Sequence, residues 1–211
     1  VRDHFGRRAT IVGFMRPYVQ EVLSGTQWLD ECLVYDRYSL SGAIGFVARL
    51  RRRRFDSILL LTNSLSTGTF AWLSGARQRV GFAMHGRRLL LTHPLYPPRV
   101  GRANVPHSAV DHYLDVVTAI GCAAGAKTPE LATTEKEEHA TDHIWQQFGW
   151  SSQEAVVVLN TGGAYGAAKT WPAEHFVELA RQLVEQRDLR VLFLCGPAER
   201  DSVADICRRA N

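Results

Sequence analysis

Apolar residues occur along this chain in two arrangements that take turns. Short continuous runs, Ile58-Leu59-Leu60-Leu61 and Val156-Val157-Val158-Leu159, have the length of strands buried on both faces, as in a parallel sheet. Leu40, Ile44, Val47 and Leu50 instead fall at helical spacing and predict an amphipathic helix over 40–54. Strands are expected at 9–14, 31–35, 57–62 and 79–82, with a further helix at about 67–74. Residues 92–106 hold Pro94, Pro97, Pro98 and Pro106 and read as a long irregular loop. Helices follow at about 107–121 and 135–148, separated by a stretch rich in Ala, Gly and Thr that reads as a linker.

The second half repeats the alternation more cleanly. A buried strand at 155–160 leads into a loop at 161–171. A helix follows from Pro172 to about Arg187, with proline expected at its first position, where a missing N–H costs nothing. Residues 190–195 form the next strand, and Gly196-Pro197-Ala198-Glu199 turns into a last helix. This β-α-β-α order predicts a doubly wound α/β domain. Val1 is not Met, strand 9–14 has almost nothing before it, and the closing helix has no strand to return to, so the sequence reads as a piece of a longer protein.

Composition changes this picture little. With 45% hydrophobic and 22% charged residues the chain belongs with globular rather than disordered proteins. No apolar run approaches the roughly 18–20 residues of a membrane span. Cys32, Cys122, Cys195 and Cys207 form no CxxC pair, which argues against a zinc site or disulfide framework and fits a reducing cytoplasm. Charge is more informative. Residues 1–133 carry 17 Lys and Arg against 9 Asp and Glu, a net charge of +8, whereas residues 134–211 carry a net charge of −4. The first half is therefore expected to meet something anionic.

The loop after strand 155–160 carries the candidate chemistry. It lies at the carboxyl end of a buried strand, where open α/β sheets bind ligands. Gly162, Gly163 and Gly166 let backbone approach a ligand, and their N–H groups with the next helix N-terminus favour an anion. Lys169 adds a full charge and Thr161 a hydroxyl. A Walker A loop needs Gly before Lys, but Ala168 precedes Lys169; the GxGxxG fingerprint also lacks its first step. On spacing alone, a plain glycine loop with a solvated lysine remains the alternative.

The run from Asn160 through Lys169-Thr170-Trp171-Pro172 to His175-Phe176 resembles the heptosyltransferase family of lipopolysaccharide assembly, glycosyltransferase family 9. The family pattern is PGAxxGxAKxWPxxHF, and this chain departs from it with Thr161-Gly162 in place of Pro-Gly. The stretches Leu50 to Asp56, Leu61-Thr62-Asn63-Ser64-Leu65-Ser66-Thr67 and Gly75 to Phe82 agree with the same family. The resemblance implies a GT-B fold of two Rossmann-like domains with parallel sheets flanked by helices. Residues 1–133 would be an acceptor-binding domain lacking its first strand, and 134–211 the start of a nucleotide-sugar-binding domain.

It further implies an inverting, metal-independent transfer of heptose from ADP-heptose to the inner core of lipopolysaccharide, without a cofactor. The enzyme would be cytoplasmic, with peripheral contact with the inner membrane. Lys169 matches the family lysine on the donor phosphates, with Thr161, Gly162 and Gly163 lining the same loop. Glu199 falls near the family's acidic residue on the donor ribose. Asn63, Ser64 and Thr67 would face the acceptor, helped by Arg99 and Arg102. The family's catalytic Asp would precede Val1 and its late donor motif would follow Asn211, so the piece alone is expected to be inactive. Other nucleotide-sugar donors and a non-catalytic scaffold are the alternative readings.

Other features have plainer readings. Arg49 and Arg51 to Arg54 close a predicted helix, where cations suit the helix dipole, and read first as a solvated helix end; contact with anionic lipid or a phosphorylated acceptor is the second reading. Arg87, Arg88, Arg99 and Arg102 flank the Pro-rich loop and could grip acceptor phosphate or carboxylate groups. His139 and His143 read as an exposed polar helix face, and His107 with Asp111-His112 as a helix cap. A pI near 9.0 raises nucleic-acid binding, but the arginines lie at helix and loop ends and no nucleic-acid-binding motif is present.

Overall fold

The computed structural model describes residues 1–35, 40–101, 103–151, 153–162 and 170–211. The chain separates into two compact units, Val1–Thr134 and Glu135–Asn211.

The first unit opens with a single helical turn, α1 (Arg2–Phe5), and then β1 (Val12–Met15), α2 (Pro17–Leu23) and β2 (Glu31–Val34). The helix of α2 begins on Pro17, whose fixed φ suits a first helical turn. β1 and β2 pair in parallel, Val12 opposite Glu31. Next come α3 (Leu40–Arg53), β3 (Ser57–Leu60), α4 (Leu65–Ser74) and β4 (Gln78–Phe82). Phe46 and Leu50, one turn apart on α3, are buried with Leu33 of β2, and Phe14, Tyr35 and Phe70 close an aromatic cluster around Phe46. Helix α4 starts two residues earlier than expected. Ser64 caps it by accepting from Thr67 N at 3.3 Å, and Gly75 ends it in the left-handed conformation.

The Pro-rich stretch is not wholly irregular. Residues His93–Leu95 form β5, which pairs in parallel with β4 to give the order β3-β4-β5. Pro94 is tolerated because β5 is an edge strand: Leu95 O accepts from Ala83 N at 2.8 Å, which turns the Pro94 nitrogen away from β4. Beyond it, β6 (Arg99–Val100) and β7 (Ala103–Asn104) make a small antiparallel ladder. Helix α5 (Ala109–Thr118) follows, capped by Ser108, whose Oγ accepts from Asp111 N at 3.1 Å. Val116 of α5 is fully buried against Val80 and Phe82.

In the second unit α6 (Glu135–Phe148) precedes β8 (Val156–Asn160), α7 (Ala173–Arg187), β9 (Arg190–Leu194) and α8 (Arg200–Ala210). β8 and β9 pair in parallel over five residues. Phe176 and Val177 of α7 and Ile206 of α8 pack on Leu159 and Phe193. Pro172 sits one place before the expected position. It is the N-cap of α7, extended at φ −58° and ψ 142°, and its carbonyl accepts from His175 N and Phe176 N. The α/β class and the parallel sheets expected from the sequence hold.

Candidate functional site

Two loops at carboxyl ends of strands carry the expected residues, one in each unit. In the second unit β8 ends at Asn160, whose Oδ1 accepts from Gly162 N at 3.0 Å and folds the chain sharply back. Thr161 N donates to Leu194 O of β9 at 3.3 Å. Among the described residues, Thr161 Oγ1 is a buried oxygen with no hydrogen-bond partner. Such a group costs free energy unless something completes it. Gly163 and Lys169 lie outside the described residues, so this loop is seen from its two ends only.

Glu199 comes from the turn after β9. Its Oε2 accepts from Gly196 N at 3.0 Å, which fixes the side chain. A Cβ on Gly162 would lie 2.9 Å from that same oxygen. The glycine therefore makes room for the carboxylate, and Glu199 stands at the mouth of the loop. At the other end Trp171 packs edge-on against Phe176, with ring centroids 4.9 Å apart, and lies beside His175.

In the first unit the loop after β3 holds Asn63, Ser64 and Thr67. Ser64 and Thr67 are engaged locally, and Asn63 with Arg87 and His112. Thr67 Oγ1 donates to Ser64 O at 2.9 Å and meets Thr62 Oγ1 at 3.1 Å. The organising group is Arg87, which the sequence suggested as a grip on acceptor phosphate or carboxylate groups. Arg87 has no exposed surface. Its Nε donates to Phe82 O at 2.7 Å, Nη1 to Thr62 O and Nη2 to Asn63 Oδ1 at 2.9 Å. Arg87 therefore does not grip an acceptor directly; it braces the loop from below. Gly68 and Gly81 leave space for it, since a Cβ on either would come within 3.3 Å of its side chain. Burial pushes its pKa down. Among the described residues it has no carboxylate partner and is held by neutral oxygens alone.

His112 of α5 completes this network. Its ring stacks on Phe82 at 3.5 Å, and Nε2 lies 3.3 Å from Asn63 Nδ2. Burial, and then the charges of His107 and Arg87 against that of Asp115, lower its pKa. His107 pairs instead with Asp115, at 2.9 Å. Arg88 donates to Tyr96 Oη at 3.0 Å. Arg99 lies exposed in β6, and Arg102 is outside the described residues. In the second unit His143 contacts Gln147 on α6 at 3.1 Å.

The sequence model of glycosyltransferase family 9 (heptosyltransferase) matches residues 44–210, which run through both units. The chain belongs to glycosyltransferase family 9. Lipopolysaccharide heptosyltransferase 2 of Escherichia coli (strain K12) is 28% identical to this family 9 chain over 151 residues, covering 68% of the chain and 41% of that relative. The chain thus spans about two fifths of the length of the curated relatives it matches. Among solved structures, the glycosyl transferase family 9 from Veillonella parvula DSM 2008 superposes with a TM-score of 0.77 at 20% identity, over 94% of this chain and 57% of that one. The E. coli ADP-heptose lps heptosyltransferase II gives 0.75 at 22% identity, over 100% of this chain and 62% of that one. These likenesses show a shared fold of parallel sheets flanked by helices.

Proposed function

We propose that the protein containing this chain transfers heptose from ADP-heptose to the inner core of lipopolysaccharide, by inversion and without a metal. The observation that carries the reading is the family match across both units, 44–210, with the loop of Thr161 and Gly162 at the carboxyl end of β8 and Glu199 at its mouth. In this reading Glu135–Asn211 holds the donor and Val1–Thr134 the acceptor. Lys169 lies on the donor phosphates with Gly162, Gly163 and Thr161, and Glu199 on the ribose. The Asn63–Thr67 loop, with Arg99 and Arg102, faces the acceptor sugar. The enzyme works at the cytoplasmic face of the inner membrane, in peripheral contact with it. No described helix is long and apolar enough to cross a membrane.

The chemistry is a direct displacement. The acceptor hydroxyl oxygen attacks the anomeric carbon while the bond from that carbon to the β-phosphate oxygen breaks. A carboxylate takes the hydroxyl proton, and ADP departs with new charge on its β-phosphate. Lys169 and the N-terminus of α7 offset that charge, which grows only as the bond breaks and so speeds turnover rather than merely tightening binding. The Thr161 hydroxyl, without a partner among the described residues, suits a phosphate oxygen.

Calorimetric titration of the complete protein with ADP, UDP and GDP, followed by a transfer assay with ADP-heptose, tests the reading. ADP is expected to bind at least tenfold more tightly than the other two, with transfer of heptose to a heptose-accepting core. Preference for UDP or GDP would move the protein to a different nucleotide-sugar donor.

A further inference from the structure

At the end of the β3-β4-β5 sheet opposite the Asn63–Thr67 loop there is an open concavity of about 1000 Å³. Arg51 and Arg52 enter it from the end of α3, Arg54 from the turn into β3, and Arg77 from the turn into β4. All four are exposed. Among the described residues none of them is in an ion pair, whereas the intervening Arg53 is held by Glu31 Oε1 at 2.5 Å. Asp56 is the one acid on the lining.

A solvated helix end accounts for only part of this. Arg77 belongs to no helix, yet it joins the cluster. Arg54 sits at φ 50°, a left-handed position that Gly or Asn fills at less cost. It too lies just past the end of α3, so two of the four arginines are outside that helix. The surroundings favour a surface over a small soluble anion. Ile44, one turn before the lining residue Ala48 on α3, is 72% exposed, and Trp72, in the last turn of α4 beside the rim residues Ser74 and Gly75, is 52% exposed. Exposed arginines on the same helices and turns as an exposed aliphatic side chain and a tryptophan are what a headgroup region accommodates. The first unit's net charge of +8 adds attraction at a distance.

We propose that this arginine-lined concavity docks the first unit on an anionic lipid bilayer. The inference deepens the membrane contact of the proposed function, but its test needs neither donor nor turnover. Co-sedimentation of the 211-residue chain with phosphatidylglycerol-containing vesicles is expected to show binding that weakens as salt rises, with none to pure phosphatidylcholine. R51Q/R52Q should lower the partition coefficient about tenfold or more, at roughly fivefold per arginine. Its melting temperature should not change, because both side chains are exposed. The charge-matched R187Q/R200Q, on the second unit, should stay within about twofold of the parent.

Equal losses in the two variants, or equal binding to neutral vesicles, would overturn the proposal. So would displacement by millimolar inorganic phosphate alone, which would mark a soluble-anion site, or oligonucleotide binding with the same R51Q/R52Q sensitivity in place of vesicle binding. Failure of the chain to bind ADP would bear on the donor reading and leave this one standing.

Discussion

Asn63 Oδ1 accepts a 2.9 Å hydrogen bond from Arg87 Nη2, and that one contact orients the whole amide. A guanidinium has donors only, so the amide oxygen must face Arg87. The amide also meets His112 Nε2, which lies 3.3 Å from Asn63 Nδ2 and 3.4 Å from Oδ1. A buried cation, a loop residue and a histidine are thereby tied into one network.

Loss of Arg87 should be costly. Arg87→Met leaves Phe82 O, Thr62 O and Asn63 Oδ1 without their donor in a buried place. About 3 kcal/mol or more of stability should be lost, read from urea denaturation of the chain. Arg87→Lys should recover only part of it, because a single ammonium cannot reach all three acceptors in the geometry of a planar fork. Stability of Arg87→Met within about 0.5 kcal/mol of the parent would contradict the bracing role.

Stability should fall as pH is lowered from about 7 toward 5. His112 has a folded pKa below its ordinary 6.5, chiefly through burial. Below pH 6.5 the unfolded chain therefore binds the proton more readily than the folded one, and protonation favours unfolding. The lowered carboxyls of Asp30, Asp111 and Glu154 act in the same direction but only near and below their ordinary values of 3.8 to 4.5. Thermal melts across this range should show a slope that His112→Asn flattens.

Gly162→Ala separates folding from binding. The new methyl would sit 2.9 Å from Glu199 Oε2, the far end of a side chain that can swing away. The melting temperature should drop by only a few degrees. If Glu199 meets the ribose, ADP affinity should fall about tenfold, and Glu199→Ala should give a similar loss that is not additive with it. Additive losses in the double variant would place Glu199 outside the donor site.

Lys169→Ala in the complete enzyme should lower kcat by about a hundredfold or more, with a smaller change in KM for the donor. Turnover left intact by the substitution would remove Lys169 from the proposed chemistry.

Much of the fold could be read in the chain because its signals were local. The apolar runs at 58–61 and 156–159 mark the strands Ser57–Leu60 and Val156–Asn160, and the helical spacing of Leu40 to Leu50 is a helix. β5 was hidden because proline normally forbids a strand, and only its edge position, a long-range fact, permits Pro94. Arg87 was hidden for a related reason. Its charge argues for the surface, and two of the carbonyls that accept it, Thr62 O and Ser64 O, lie 25 and 23 residues away. Its nearest local hints were two glycines, Gly68 and Gly81, whose missing side chains make its pocket. The role of Gly162 likewise depends on Glu199, 37 positions along the chain.

The guanidinium beneath the Asn63–Thr67 loop also has a dynamic consequence. It ties the loop to the last carbonyl of β4, so loop and sheet should open together rather than the loop fraying alone. If this loop meets the acceptor, as proposed, the sugar finds it already ordered, and the entropy of arranging the loop has been settled during folding instead of being charged to the encounter.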